Sequence, residues 1–263
     1  MKNAEVRKES AEREPPLVSV VMPAYNSQRF IGAALESVLA QTLEDWELIA
    51  VEDCSTDRTW RILKKYAAGD DRIRIVRNDR NRGAAWSRNR AFGMCQGRYI
   101  ALLDSDDLWQ PEKLEKQVRL AERTGADIIY CSYSMIDEEG KKRWKDFIVP
   151  KRISFEQALS KSVMSCSTTL LTRQTAEEFP FPENLYHEDL FYWLTLLQAG
   201  KKAAGIRQVL AAYRVRTDSR ASNKARAALN RWRVYRYLGL SPGRSVRAFI
   251  RYARLGISKY REV

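Results

Sequence analysis

Apolar residues come along this chain in two kinds of block. Short, mostly apolar runs, from Leu17 to Met22, Glu47 to Val51, Ile73 to Val76, Tyr99 to Leu103 and Asp127 to Ser132, read as strands. Between them the apolar positions recur at helical spacing. Residues 28–42 carry Ile31, Leu35, Val38 and Leu39, with Ser27 placed to cap the helix. Trp60, Leu63 and Ala67 share one face of a second helix ending near Ala67. A third helix runs from Gly83 to Met94 and a fourth over 111–124. Strand and helix therefore alternate, which predicts an α/β fold with a mostly parallel central sheet flanked by helices.

Beyond Ser134 the regularity weakens. Residues 137–152 are polar and read as a loop or hairpin, Ser167 to Leu171 as a strand, and Pro180-Phe181-Pro182 as a turn. His187-Glu188-Asp189 opens a helix whose apolar face holds Leu190, Trp193, Leu194 and Leu197. A strand-like stretch spans Ala203 to Tyr213. Two helical segments follow, about 222–238 and 244–259, divided by Ser241-Pro242-Gly243.

Chemistry gathers where the strands end. Pro23-Ala24-Tyr25, Glu52-Asp53 and Asp104-Ser105-Asp106-Asp107 all follow apolar runs. In sheets of this kind ligands sit beyond the carboxyl ends of the strands. Crowded carboxylates repel and raise each other's pKa. A hard divalent cation removes that cost and leaves positions open for phosphate oxygens. A solvated acidic turn before the helix near Pro111 is the plainer reading of the same residues. There is no GxGxxG after the first strand and no GxxxxGK[ST]. A nucleotide here would be held by acidic residues, a metal and an aromatic face.

Charge changes the picture at one end only. The chain has 263 residues and a formal net charge of +13. Residues 214–263 hold 14 Lys/Arg against 2 Asp/Glu, whereas residues 1–16 hold four of each. The 197 residues between carry 28 basic and 27 acidic side chains, so the basicity belongs to the tail. Residues 1–16 lack apolar periodicity and are expected to form a disordered leader. No run of about 18 apolar residues offers a membrane span, and no apolar signal core opens the chain. Cys54, Cys95, Cys131 and Cys166 are scattered without zinc spacing, as expected of reduced thiols packed in or near the core of a cytoplasmic protein. The single His187 excludes a multi-histidine metal site.

Taken in order, Val18 to Asn26, Val51 to Asp57, Asn81 to Asn89, Asp104 to Asp107 and His187 to Asp189 resemble the motifs of the inverting glycosyltransferases of family 2, with the GT-A fold. The likeness covers roughly 17–215 and leaves 216–263 as a basic, amphipathic helical extension. It implies a nucleotide-sugar donor, with a UDP-sugar expected, a divalent metal (Mg²⁺ or Mn²⁺) and a carboxylate base. Pro23 and Tyr25 would lie against the base, where Tyr25 can stack on a pyrimidine or serve as an ordinary core tyrosine. Asp53 would accept the uracil N3–H, or else cap a helix. Arg88 would pair with Asp53 or approach the diphosphate, or stand as a solvated helix charge. Asp106 would bind the metal, with Asp104 reaching metal or ribose and Ser105 between them. Asp189 would take the acceptor proton, or simply complement the helix dipole beside Glu188. Family members often carry Tyr-Arg-x-His after the last core strand; here the run is Tyr213-Arg214-Val215-Arg216. Arg216 can hold a diphosphate but cannot ligate a metal. Glu52 stands where an aspartate is common.

The resemblance also implies a setting. The acceptor expected is a hydroxyl of a lipid-linked saccharide in surface-polysaccharide assembly, with transfer to polyprenyl phosphate as the nearest alternative. The tail stripes Val246, Phe249, Ile250, Ala253 and Ile257, and Leu229, Trp232 and Tyr235, lie among arginines. They suit an anionic membrane surface or the flank of the catalytic body. No nucleic-acid motif accompanies the charge, so a non-catalytic nucleotide- or RNA-binding role is the remaining alternative.

Overall fold

A computed structural model describes residues 14–183, 185, 187–216 and 224–259. The leader expected over 1–16 falls mostly outside these residues.

The strands are β1 (Val18–Ala24), β2 (Trp46–Glu52), β3 (Ile73–Arg77), β4 (Tyr99–Leu102), β5 (Leu108–Trp109), β6 (Ile128–Ile136), β7 (Thr169–Thr172) and β8 (Ala203–Arg214). They form one sheet in the order β3-β2-β1-β4-β7-β6-β8-β5. β3, β2, β1 and β4 are parallel, as the alternation with helices requires. β7 is antiparallel to β4 and β6, and β6 and β8 run parallel. The two-residue β5 pairs antiparallel with the end of β8, Leu108 opposite Ala212.

The helices are α1 (Ile31–Leu39), α2 (Thr59–Gly69), α3 (Ala84–Phe92), α4 (Lys113–Thr124), α5 (Phe155–Ala158), α6 (Arg173–Glu178), α7 (Glu188–Gln198), α8 (Lys224–Tyr237) and α9 (Pro242–Lys259). Period-two alternation within each strand sorts side chains to two cores. Val20, Met22, Leu48, Ala50 and Ala101 meet α1, α2 and α4 on one face. Val21, Ile49, Val51, Ile100 and Leu102 belong with α3, α6, α7 and α8 on the other. All seven residues of both β1 and β2 are buried.

Two local expectations change, at Ser27 and at Cys166–Thr168. Ser27 does not cap α1 through its side chain. Its carbonyl instead accepts from Phe30 and Ile31 N–H at 2.9 Å each. Cys166–Thr168 is a 3-10 turn closed by a reciprocal Ser165–Thr168 capping box, so β7 begins at Thr169. The hairpin region contributes only isolated bridges, Tyr133 with Phe147 and Ile136 with Lys142.

The extension is joined to the body rather than separate from it. Val234, Tyr235, Leu238, Leu240 and Ala248 complete the same core as α7. Tyr235 Oη and Arg231 Nη1 both donate to the Leu159 carbonyl. Tyr235, whose stripe suited either a membrane surface or the body, is fully buried against the body: its ring fills that core and its hydroxyl finds an acceptor. Tyr235→Ala is expected to cost about 3–5 kcal/mol, the range for deleting a buried aromatic. Urea unfolding followed by circular dichroism checks it; a loss of a few tenths would show the extension to be loosely attached.

Candidate active site

The loops after β1 and β2 are stitched together. Asn26 N–H donates to Ser55 Oγ at 3.0 Å, and Thr56 N–H donates to Asn26 Oδ1 at 2.9 Å. Ser27 N–H donates to Thr59 Oγ1, and Gln28 N–H to Asp57 Oδ2. Asn26 and Cys54 take positive φ at the two turns. This frame presents Tyr25, 47% exposed, at the rim just past Pro23, which is buried in β1.

Asp53 is buried in the next layer. Its Oδ1 accepts from Asn78 Nδ2 at 2.7 Å and Arg82 N–H at 2.8 Å, and its Oδ2 accepts from Gly83 N–H at 2.7 Å. Gly83 sits at φ +87, a conformation that favours glycine, and leads directly into α3. Asp53 thus shapes the loop that starts α3.

Arg88 projects from α3 into the centre. It is 4% exposed and pairs with Asp104 Oδ1 at 2.6 Å, not with Asp53. Its Nη1 lies 3.7 Å from Glu188 Oε1, and its guanidinium sits over the Phe181 ring at 5.1 Å. A single buried cation therefore brings the acidic strand end and the start of α7 together. Burial is disfavoured for a charge without partners, and these two carboxylates supply them.

The acidic run divides into different environments. Asp104 N–H donates to Ser167 Oγ at 3.0 Å, and Ser105 is buried. Asp106 stays partly open, with Arg216 Nη1 3.7 Å from Oδ2. Burial and the Asp104 charge push the Asp106 carboxyl up, while Arg216 and Arg214 pull it down. Asp107 is buried and accepts from Arg214 N–H at 2.8 Å; burial, then Asp106 and Asp104, raise it well above the usual carboxylate range. The Arg214 guanidinium turns to backbone, donating to the carbonyls of Asp106, Asp137 and Glu138. Asp189 lies in the first turn of α7, after His187 at φ +66. Cys166 is buried in this cluster: burial raises its thiol, Arg88 opposes, and Asp104, Asp189 and Glu188 add to the rise.

The description "Glycosyl transferase family 2" matches residues 19–179, more than half of the chain. The chain belongs to glycosyl transferase family 2. It is 38% identical over 245 residues to the putative teichuronic acid biosynthesis glycosyltransferase TuaG of Bacillus subtilis, covering 93% of this chain and 97% of that one. It is 32% identical over 249 residues to WfgD of Escherichia coli, a UDP-Glc:alpha-D-GlcNAc-diphosphoundecaprenol beta-1,3-glucosyltransferase, covering 93% and 95%. Among solved structures, S. aureus TarS 1-349 in complex with UDP-GlcNAc superposes at TM-score 0.71 with 19% identity, over 90% of this chain and 71% of that one. The GT-A fold is shown by that likeness.

In this glycosyltransferase the acidic pair fits a hard divalent cation. Asp104 and Asp106 offer carboxylate oxygens, 30% and 27% exposed, at one strand end. Among the described residues no group of three or more His, Cys, Asp or Glu converges for a closed metal cage. Two carboxylates with the remaining positions left to water and phosphate is the set Mg²⁺ or Mn²⁺ accepts.

Several residues of this glycosyltransferase's site escaped sequence reasoning. Glu52 is fully buried, receives Ser55 N–H and pairs with Arg77 Nε at 2.7 Å. The extra methylene relative to aspartate lets its carboxylate reach both partners. Lys113 is fully buried in the first turn of α4. Its Nζ donates to Gln117 Oε1 at 2.7 Å and lies 3.8 Å from the centre of the Trp109 ring, whose Nε1 donates to the Ser167 carbonyl. Only a lysine on the apolar stripe of α4, beside Leu114 and Val118, could have signalled it.

Burial pushes the Lys113 ammonium down to about 7, with the nearby Cys131 opposing. In the unfolded chain a lysine titrates near about 10.4. Between those values unfolding takes up a proton, so this contribution favours the fold increasingly as pH rises. Lys113→Met removes the titration. The stability difference between wild type and Lys113→Met should shift toward wild type by about 1.4 kcal/mol per pH unit above pH 7 and level off below it. Urea unfolding from about pH 6 to 9 checks this slope; parallel pH curves would exclude the titration.

Proposed function

We propose that this chain is an inverting, metal-dependent hexosyltransferase that moves a sugar from a UDP-sugar to a hydroxyl of a lipid-linked saccharide in cell-surface polysaccharide assembly. The observation that carries the reading is Arg88 touching both Asp104 and Glu188. It sets the donor-side carboxylates and the first turn of α7 around one buried charge, as a single-displacement site needs. The names of TuaG and WfgD, similar along almost their whole length, support the saccharide setting and the lipid-linked acceptor. The UDP-GlcNAc complex of TarS and a GDP-Man and Mn²⁺ complex of a Pyrobaculum calidifontis mannosyltransferase support a nucleotide-sugar donor and a metal.

In this reading each residue of the site takes one role. Tyr25 stacks on the base at the rim, and Asp53 accepts its N–H. Arg88 and Arg216 hold the diphosphate oxygens. Asp106, with Asp104, holds Mg²⁺ or Mn²⁺, which when bound neutralises charge on the leaving diphosphate. Asp189 takes the acceptor hydroxyl proton as that oxygen attacks the anomeric carbon from the face opposite the diphosphate. The reaction takes place at the cytoplasmic face of a membrane, where a lipid-linked acceptor presents its saccharide. Among the described residues no helix is long and apolar enough to cross a membrane.

Asp189→Asn keeps the shape and removes the proton acceptor. Transfer to a lipid-linked saccharide should fall about 10²- to 10⁴-fold, with UDP affinity unchanged by calorimetry. Transfer left within about twofold of wild type would reject Asp189 as the base. Asp106→Ala should abolish the part of UDP affinity that EDTA removes from wild type, with an unchanged thermal melt. Equal EDTA sensitivity in both proteins would reject Asp106 as metal ligand.

A further inference from the structure

α9 has three faces, not two. Ser245 and Ala248 are buried, and Phe249 and Tyr252 are half-buried, so these four face the body. Phe249 meets Trp232 of α8 edge-on at 6.0 Å, and Arg231 of α8 sits 4.1 Å from the centre of the Tyr252 ring. Val246 and Ile250 are 46% and 47% exposed, and Ala253 is exposed with them. Arg247, Arg251 and Arg254 are exposed on the third face, and Arg244 on the same side pairs with Glu156 of α5.

Successive residues turn by about 100° around a helix, which fixes the relation of these faces. With Ser245 at zero, the body-facing residues centre near about 350°, the exposed apolar ones near about 110° and the arginines near about 220°. The direction midway between apolar and basic faces is therefore about 170° from the body. The helix points a mixed apolar and cationic surface straight outward.

We infer that this outward surface of α9 docks the enzyme on an anionic phospholipid bilayer. Val246, Ile250 and Ala253 enter the headgroup–acyl boundary, while the arginines extend their apolar stems along it and hold lipid phosphates. Charge complementarity selects this occupant. Residues 224–259 contain ten Lys/Arg, and no acidic residue occurs between Asp218 and Glu262. A second copy meeting this face across a two-fold axis would set arginines against arginines. A nucleic acid would use the arginines and leave the apolar face in water. The inference stands on this surface and holds whichever sugar or acceptor the active site takes.

The test uses the full chain and co-sedimentation with two kinds of vesicle, pure phosphatidylcholine and an equal mixture with phosphatidylglycerol. Wild type should bind the mixed vesicles far more tightly, and less so as salt is raised. Val246→Ser with Ile250→Ser leaves every charge in place and should lose about tenfold or more in partitioning. Arg247→Gln with Arg251→Gln and Arg254→Gln should lose about 100-fold, at about fivefold per basic residue. All sites are exposed, so thermal melts should match wild type. Failure of wild type to bind the mixed vesicles overturns the inference. So does binding that the serine pair leaves unchanged, or a dimer in light scattering that the serine pair dissociates.

Discussion

The Arg88 guanidinium is the interaction on which this site depends. It lies in α3 and is almost fully removed from water. A cation in that position must have anions against it, so the end of β4 and the start of α7 are held where Asp104 and Glu188 can reach it. Its ring partner extends the constraint. Phe181 stacks on Tyr192 at 3.9 Å and meets Trp193 edge-on at 6.1 Å, so the Pro-Phe-Pro turn and α7 pack as a unit around the arginine. Nε and Nη1 of Arg88 are buried without a hydrogen-bond acceptor. An unsatisfied buried donor costs free energy, so this arginine is held at some expense by the packing around it.

A second constraint is the crowding of three carboxylates in four residues. The fold separates their environments rather than their positions. Asp104 is matched by Arg88. Asp107 goes into the interior and accepts from the backbone where β5 and β8 meet, so it acts as a structural tie. Asp106 keeps the weakest match, an arginine 3.7 Å away, with burial and Asp104 both opposing its charge. Of the two carboxylates that stay partly exposed, Asp106 is therefore the one with the more distant internal partner.

The strand and helix periods made the parallel half of the sheet legible, because β1 and β2 are mostly apolar runs and α1 and α4 carry clear stripes. Motif position did the same for the rim: Tyr25, Asp53 and Asp104 follow strands, and Asp189 opens a helix. What stayed hidden was set by three-dimensional partners. Nothing local told Arg88 to choose Asp104 over Asp53. β5 is two residues long and exists only because β8 lies beside it. The Cys166–Thr168 turn looked like strand because Ser and Thr are compatible with both, and a capping box decided it. Lys113 was invisible because a charged letter on a helix ordinarily means solvent, while here Trp109 and Gln117 receive it.

The basic tail shows the same limit in another form. A stripe of apolar residues at helical spacing says that one side of a helix avoids water, but not what covers it. In α8 the body covers Tyr235, which with Val234 closes a core shared with α7, but leaves Leu229 51% exposed. In α9 the stripe read from sequence turns out to straddle two faces. Phe249 belongs with Ala248 against the body, whereas Val246 and Ile250 look away from it. A helix that needed only to finish the core would have no reason to place apolar residues on its outer side beside an unbroken set of arginines. Packing explains the inner face and leaves the outer one to a partner that is at once apolar and anionic.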